Sequence, residues 1–176
     1  MVILGVDPGL NATGYGITDA GSKTLRLVTA GDIRPPKKGS LADRLGFIHQ
    51  ELSQIIDNFH PQTAVLEKIF THQNYLTTAT LMGHARGVAC LAIQQHNLPL
   101  AEYPPALVKK SLTGSGAASK QQVARMVNYW LQASDPAWSM DATDALALTI
   151  VHAHLQRQDK CAPGVGTRLH RWSIVK

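Results

Sequence analysis

The chain has 176 residues, 44% of them hydrophobic, with 17 basic against 12 acidic side chains and a formal net charge of +5. That length fits one domain with a substantial core, no window is apolar for long enough to span a bilayer, and the first residues lack the charged region and cleavage site of a secretion signal. The two cysteines, Cys90 and Cys161, form neither a metal-ligand spacing nor a disulfide framework, which fits a reducing cytoplasm.

Val2, Ile3, Leu4 and Val6 form a short apolar run, the pattern of a strand buried on both faces, and the run ends on Asp7 before the turn signal Pro8-Gly9. A second strand over 13–18 interleaves Gly14 and Gly16 with Tyr15 and Ile17, so that its backbone can be approached closely. A third, over 25–33, alternates in part, with Leu25, Leu27 and Ile33 expected on one side. After a proline-rich loop at 34–39, Ser40 caps an amphipathic helix with the stripe Leu41, Leu45, Ile48, Leu52, Ile55, Ile56 and Phe59, and Pro61 closes it. Residues 63–69 form the next strand, with Glu67 near its end. A helix between two strands implies a crossover to a parallel neighbour. Parallel pairing with the first strand would bring Glu67 to the same end as Asp7.

Residues 77–96 read as a long helix rich in Ala and Gly, whose small face suits either an internal packing contact or a dimer seam. A fifth strand over 98–103 stops at Pro104-Pro105, and 106–112 is a short helix carrying Lys109 and Lys110. A link of small residues at 113–118 leads to Ser119, the cap of a helix reaching about residue 132. The last helix begins near Ser139 and passes His154. Asp141 and Asp144, three apart in its first turn, share one side. The elements make an α/β domain over 1–156. Residues 157–176 carry Arg157, Lys160, Arg168, Arg171 and Lys176 against Asp159 alone and read as a basic, flexible tail.

Acids in the first turn of a helix complement its dipole, which explains Asp141 but explains Asp144 less well, flanked as it is by Ala142, Ala145, Leu146 and Ala147. Asp7, Glu67, Asp141 and Asp144, each near the end of a buried element, would repel one another if brought together without compensation. Divalent cations remove that objection, and oxygen ligands without His or Cys spacing favour Mg²⁺ or Mn²⁺ over Zn²⁺. Two such ions about 3.5–4 Å apart suit in-line attack on a phosphodiester. The histidines compete poorly: His152 and His154 fall on different helix sides, and His72, His84 and His96 are scattered.

Four blocks carry a resemblance: Gly5-Val6-Asp7-Pro8-Gly9 with Thr13-Gly14-Tyr15-Gly16; Glu67-Lys68-Ile69-Phe70 followed by Asn74; Thr113-Gly114-Ser115-Gly116-Ala117-Ala118-Ser119-Lys120; and Asp141-Ala142-Thr143-Asp144-Ala145-Leu146-Ala147. Collinear over about residues 1–155, they resemble the RuvC family of Holliday junction resolvases. The resemblance implies an RNase H-like fold, a five-stranded mixed sheet flanked by α-helices. It implies a homodimer that cuts four-way DNA junctions by paired symmetric nicks with Mg²⁺, for which Mn²⁺ would substitute, and that works with a RuvA–RuvB branch-migration complex. The family's catalytic and metal-binding carboxylates carry over to Asp7, Glu67, Asp141 and Asp144; its third position varies, some members having His, and this chain keeps Asp. Phe70 matches an aromatic that stacks on bases near the crossover. Lys109 and Lys120 match lysines at the DNA, with Gly114 and Ser115 in the loop beside them, and a preference for cutting after a short thymine-rich sequence would be inherited.

The residues themselves support the same division of labour. Asp7, on the central strand, would bridge both ions, with Glu67 and the helical pair each holding one side, and the products would carry 5′-phosphate and 3′-OH ends. Lys120, opening a helix, can meet a phosphate with its ammonium and with helix N-terminal amides. Phe70 is placed to stack on an unpaired base, a contact of about 1–3 kcal/mol. The first block also resembles the phosphate loop of actin-like ATPases and sugar kinases, but no second copy of it is present. An RNase H-like nuclease for another nucleic acid, such as an RNA–DNA hybrid, and a non-catalytic junction-binding protein are the remaining alternatives.

Overall fold

The computed structural model describes residues 1–21, 24–68, 76–133 and 138–161. Strands β1 (Val2–Asp7), β2 (Thr13–Asp19) and β3 (Arg26–Ile33) form an antiparallel meander, and helix α1 (Leu41–Phe59) crosses to β4 (Thr63–Glu67), parallel to β1. Helix α2 (Leu76–Gln95) crosses in turn to β5 (Leu100–Tyr103), parallel to β4, and helices α3 (Pro105–Thr113), α4 (Lys120–Leu131) and α5 (Met140–Cys161) complete the chain. The sheet order is β3-β2-β1-β4-β5, the five-stranded mixed sheet flanked by helices that the sequence led us to expect.

The helix boundaries follow their caps. Ser40 and Ser119 each form a reciprocal capping box, with Asp43 and Gln122 respectively, satisfying amides that a helix start leaves unpaired. At the other end of α1, His60 takes a left-handed conformation (φ 45°) ahead of Pro61. Pro105 opens α3, and Gly114 (φ 82°) ends it, a conformation that favours glycine.

Alternation along the strands sorts the core into two layers. Leu4, Val6, Ala64 and Leu66 face α1 and α2 and pack with Ile48, Leu52, Ile56 and Ala89. Ile3, Val65 and Ala101 face α3, α4 and α5, with Val108, Val127, Leu146 and Ile150. Asp7 and Glu67 are in phase with Ile3 and Val65, so both acids belong to the α5 face at the same end of parallel neighbours. That face is lined with glycine. A Cβ at Gly5 would overlap the Ala145 carbonyl oxygen, one at Gly14 the Asp141 carbonyl, and one at Gly16 would lie 2.6 Å from Leu146 Cδ2. The close approach expected at Gly14 and Gly16 is therefore the approach of α5 itself.

Several expectations need correcting. Leu25 and Leu27 face the α5 layer, whereas Ile33 faces α1 and α2. The register slips beside Ile17/Thr18, whose partners are Thr29 and Leu27, leaving Val28 as an extra residue that inverts the alternation. Strand β4 stops at Glu67; the Lys68 amide still donates to the Tyr103 carbonyl (2.8 Å), and Ile69 lies outside the described residues. Helix α5 continues through Arg157 to Cys161, so the first residues of the expected tail are helical. The small residues of α2 divide between two surroundings: Ala85, Ala89 and Ala92 are fully buried, while Gly83 and Gly87 meet open space beside the exposed Leu81, Met82 and Leu91.

Candidate active site

Three elements converge on Asp7: the end of β1, the end of its parallel neighbour β4 with Glu67, and the first turn of α5 with Asp141 and Asp144. A cleft of about 230 Å³ opens there, with Asp7, Glu67, Asp144, Lys109 and Lys120 at its polar end and Val108, Val123 and Leu148 among its apolar walls. Asp141 does not line the cleft. It acts on Asp7 electrostatically from the edge, where its carbonyl rests over Gly14.

The cleft gathers negative charge with little to compensate it. Burial, then the negative charges of Asp144, Glu67 and Asp141, raise the Asp7 carboxyl to about 7, so that near neutrality it is only partly ionised. Glu67 is raised by burial and by Asp144, with Lys120 and Lys109 pulling the other way. The one positive charge in direct contact among the described residues is Lys120, whose Nζ donates to Asp144 Oδ2 at 3.0 Å and whose own pKa that carboxylate raises. The ammonium thus stands where a metal cation would relieve the same repulsion. Among the described residues no three His, Cys, Asp or Glu side chains are gathered tightly enough to enclose an ion as they stand. The acids are within electrostatic reach of one another, and their all-oxygen chemistry suits a hard divalent cation.

Supporting contacts fix the strand ends. Arg86 of α2 donates to the Glu67 carbonyl oxygen (2.6 Å) and pairs with Glu102 of β5, tying the backbone of one acid to the opposite layer. Under the cleft, Tyr103 Oη and the buried His152 Nδ1 share a hydrogen bond of 2.8 Å. His154 packs against Trp130, and His96 meets Asp57 (3.3 Å); none of these histidines lines the cleft. Arg86 and Asp32, which holds Ser139 before α5, carried no local signal, because their partners are distant in sequence.

Of the residues expected at DNA, Lys109 and Lys120 flank the acids, and Gly114 and Ser115 sit exposed in the connection that ends α3 just before Lys120. Phe70 lies outside the described residues. The α4 N-terminus is less open than expected: Ser119 Oγ accepts from the Gln122 amide (3.2 Å) and Gln122 Oε1 from the Ser119 amide (2.8 Å), so the capping box already engages two of its donors.

Comparison with known proteins adds to this geometry. The family model described as crossover junction endodeoxyribonuclease RuvC matches residues 3–152. The protein of that name from Halorhodospira halophila is 47% identical over 167 residues, covering 94% of this chain and 98% of its own length. The structure of Thermus thermophilus RuvC superposes with a TM-score of 0.81 at 30% identity, covering 90% of this chain and 96% of that one. The same protein in complex with Holliday junction substrate superposes with a TM-score of 0.82 at 29% identity over the same shares.

Proposed function

The chain belongs to the RuvC family and is a Holliday junction resolvase, a crossover junction endodeoxyribonuclease of RNase H-like fold, and from that premise we propose that Asp7, Glu67, Asp141 and Asp144 are its catalytic, metal-binding carboxylates. The observation that carries the assignment is the placement of Asp7, a half-buried carboxyl where β1, β4 and α5 meet, within electrostatic reach of Glu67, Asp141 and Asp144, whose charges with burial raise it to about 7. An acid so disfavoured as an anion needs a cation to work ionised at neutral pH. Held there, two Mg²⁺ ions, or Mn²⁺ in their place, would supply that charge and the Lewis acidity for phosphodiester hydrolysis to 5′-phosphate and 3′-OH ends.

The chain's own groups do the rest. Asp7, central in the sheet, would hold the ions together with Glu67 on one side and Asp141 and Asp144 on the other. The apolar walls Val108, Val123 and Leu148 keep the local dielectric low and strengthen every charge interaction at the cleft. Lys120, paired with Asp144, and Lys109 bring positive charge to the cleft where a DNA phosphate would lie. Gly114 and Ser115 bring exposed backbone to the same phosphate track, and Phe70 stacks on a base opened at the crossover.

Paired nicks across a symmetric junction call for two copies of the site, and a two-fold homodimer supplies them. The exposed face of α2 that carries Gly83, Gly87 and Leu91 supports this assembly. By family resemblance the dimer works with RuvA–RuvB, in the cytoplasm where chromosomal junctions arise. None of the described helices is long and apolar enough to cross a membrane. The test is cleavage of a mobile synthetic four-way junction in Mg²⁺ by the wild type and Asp7→Asn, beside linear duplex and an RNA–DNA hybrid. Paired nicks confined to the junction, reduced at least a thousand-fold by the substitution while junction binding persists, are expected. Undiminished cleavage by Asp7→Asn would remove Asp7 from the mechanism.

A further inference from the structure

We propose that Asp32, on the outer strand β3, is a positioning residue that sets the first turn of α5, and with it Asp141 and Asp144, against Asp7. The proposal rests on the catalytic reading above for its purpose, though not for its geometry.

Asp32, Gly14 and Asp7 lie in one row across the sheet: Asp7 is registered with Gly14, and Gly14 with Asp32. Directly opposed residues project to the same face, so both carboxylates rise on the α5 side, two strand spacings or about 10 Å apart. Gly14 between them has no side chain, and the α5 backbone at Asp141 fills that space. The first turn of the helix is therefore bracketed, with the catalytic Asp7 on one side and Asp32 on the other.

Asp32 holds its side through Ser139, the residue before the helix. The Ser139 hydroxyl donates to Asp32 Oδ1 and accepts from the Ala142 amide at 3.0 Å. Because the hydroxyl has one proton and gives it to Asp32, its lone pairs are held toward the helix, and the cap is locked in one rotamer. The Ser139 carbonyl accepts from both the Thr143 amide (3.0 Å) and Thr143 Oγ1 (2.8 Å), so the next residue round the turn is tied as well. Asp32 is itself anchored: its side chain is 13% exposed, and Arg34 Nη2 donates to Oδ2 at 2.7 Å. A clamp thus runs from strand β3 at Asp32, which the exposed Arg34 also contacts, through Ser139 into the turn that carries Asp141 and Asp144. The contact joins residues 107 apart in sequence and adds a side-chain tie to a helix start that the glycine platform seats by backbone contact.

The test uses the full-length chain with Asp32→Ala, Asp32→Asn and Ser139→Ala, reading amide hydrogen exchange at Ala142 and Thr143 in the metal-free protein and the Mg²⁺ dependence of junction cleavage. In Asp32→Ala and Ser139→Ala, exchange of these two amides is expected to quicken at least ten-fold with exchange in the β1 core unchanged. The half-saturating Mg²⁺ concentration should rise several-fold while junction affinity stays within two-fold. Asp32→Asn, which keeps an oxygen acceptor for Ser139, should remain within about two-fold of wild type in both readouts. Unchanged first-turn exchange in Asp32→Ala would overturn the proposal, and so would Asp32→Asn as impaired as Asp32→Ala. Asp7→Asn, run alongside, separates the two levels: if it cleaves normally the catalytic reading fails, and the exchange data still judge the clamp.

Discussion

The two faces of the sheet solve the same packing problem in opposite ways. On the α1/α2 face, large side chains such as Leu4, Val6, Ile17, Leu52 and Leu66 fill the space between sheet and helices, and helix and strand backbones stay apart. On the α5 face, Gly5, Gly14 and Gly16 remove side chains so that the helix backbone itself lies on the strands. The acids differ in the same way. Glu102, turned toward α2, is matched by Arg86, whereas Asp7 and Glu67, turned toward α5, have no ion-pair partner among the described residues. A layer of side chains tolerates repacking; backbone against backbone leaves little room to give, and that is the face toward which Asp7 and Glu67 turn. One face serves stability and the other serves placement.

Substitution on the two faces is the most direct way to break that contrast. Leu52→Ala should cost about 2–5 kcal/mol, read by denaturant unfolding, while the folded fraction cleaves junctions at the wild-type rate. Gly5→Ala, which forces α5 off the sheet at Ala145, should cost at least about 1–3 kcal/mol and also lower cleavage by the folded fraction at least ten-fold. Equal loss of specific activity from both would show that the two faces do not differ in role.

The unpaired acids make a pH-dependent prediction of intermediate size. Asp7, raised from 3.8 to about 7, and Glu67, raised from 4.5, bind protons more tightly in the folded state than in the unfolded one. Their contribution to stability without metal therefore falls as pH rises from about 4 toward 7, the reverse of a salt-bridged acid, while the buried His152 and the half-buried His154, with lowered pKa, contribute in the opposite sense. Measured against Asp7→Asn, the wild-type Tm should drop by several degrees across this window, with Mg²⁺ restoring it above pH 7 by binding the ionised set. A wild-type Tm that does not fall relative to Asp7→Asn between pH 5 and 7 would contradict the arrangement.

The smallest expected effect on stability belongs to Lys120. Its bond to Asp144 is largely exposed, with 66% of the lysine side chain accessible, so Lys120→Met should shift stability by less than about 1 kcal/mol. The same change removes the cation that competes for Asp144. Mn²⁺ affinity of the DNA-free protein, measured by calorimetry, should rise several-fold while junction cleavage falls about ten-fold or more. Weaker Mn²⁺ binding would argue that Lys120 organises the acids instead of standing in for the ion.

What the sequence by itself determined is what depends on near neighbours along the chain. The apolar run ending at Asp7, the serine caps at Ser40 and Ser119, the prolines at 61 and 105 and the three-residue spacing of Asp141 and Asp144 each act through a turn or two of backbone. Elements and acids were legible from them, as was the parallel pairing that puts Glu67 beside Asp7. Only the tertiary structure decided the rest. The extra residue at Val28 that turns Ile33 to the other face depends on the partner strand. That α5 is what fills Gly14, that Arg86 reaches the Glu67 carbonyl, and that Lys120 rests on Asp144 all depend on segments 19 to 130 or so positions apart. The Asp32–Ser139 contact is of the same kind. A side chain's local pattern states whether it is buried or capped; which distant group it meets is set by how the layers pack, and in this protein that packing brings Glu67, Asp141 and Asp144 within electrostatic reach of Asp7.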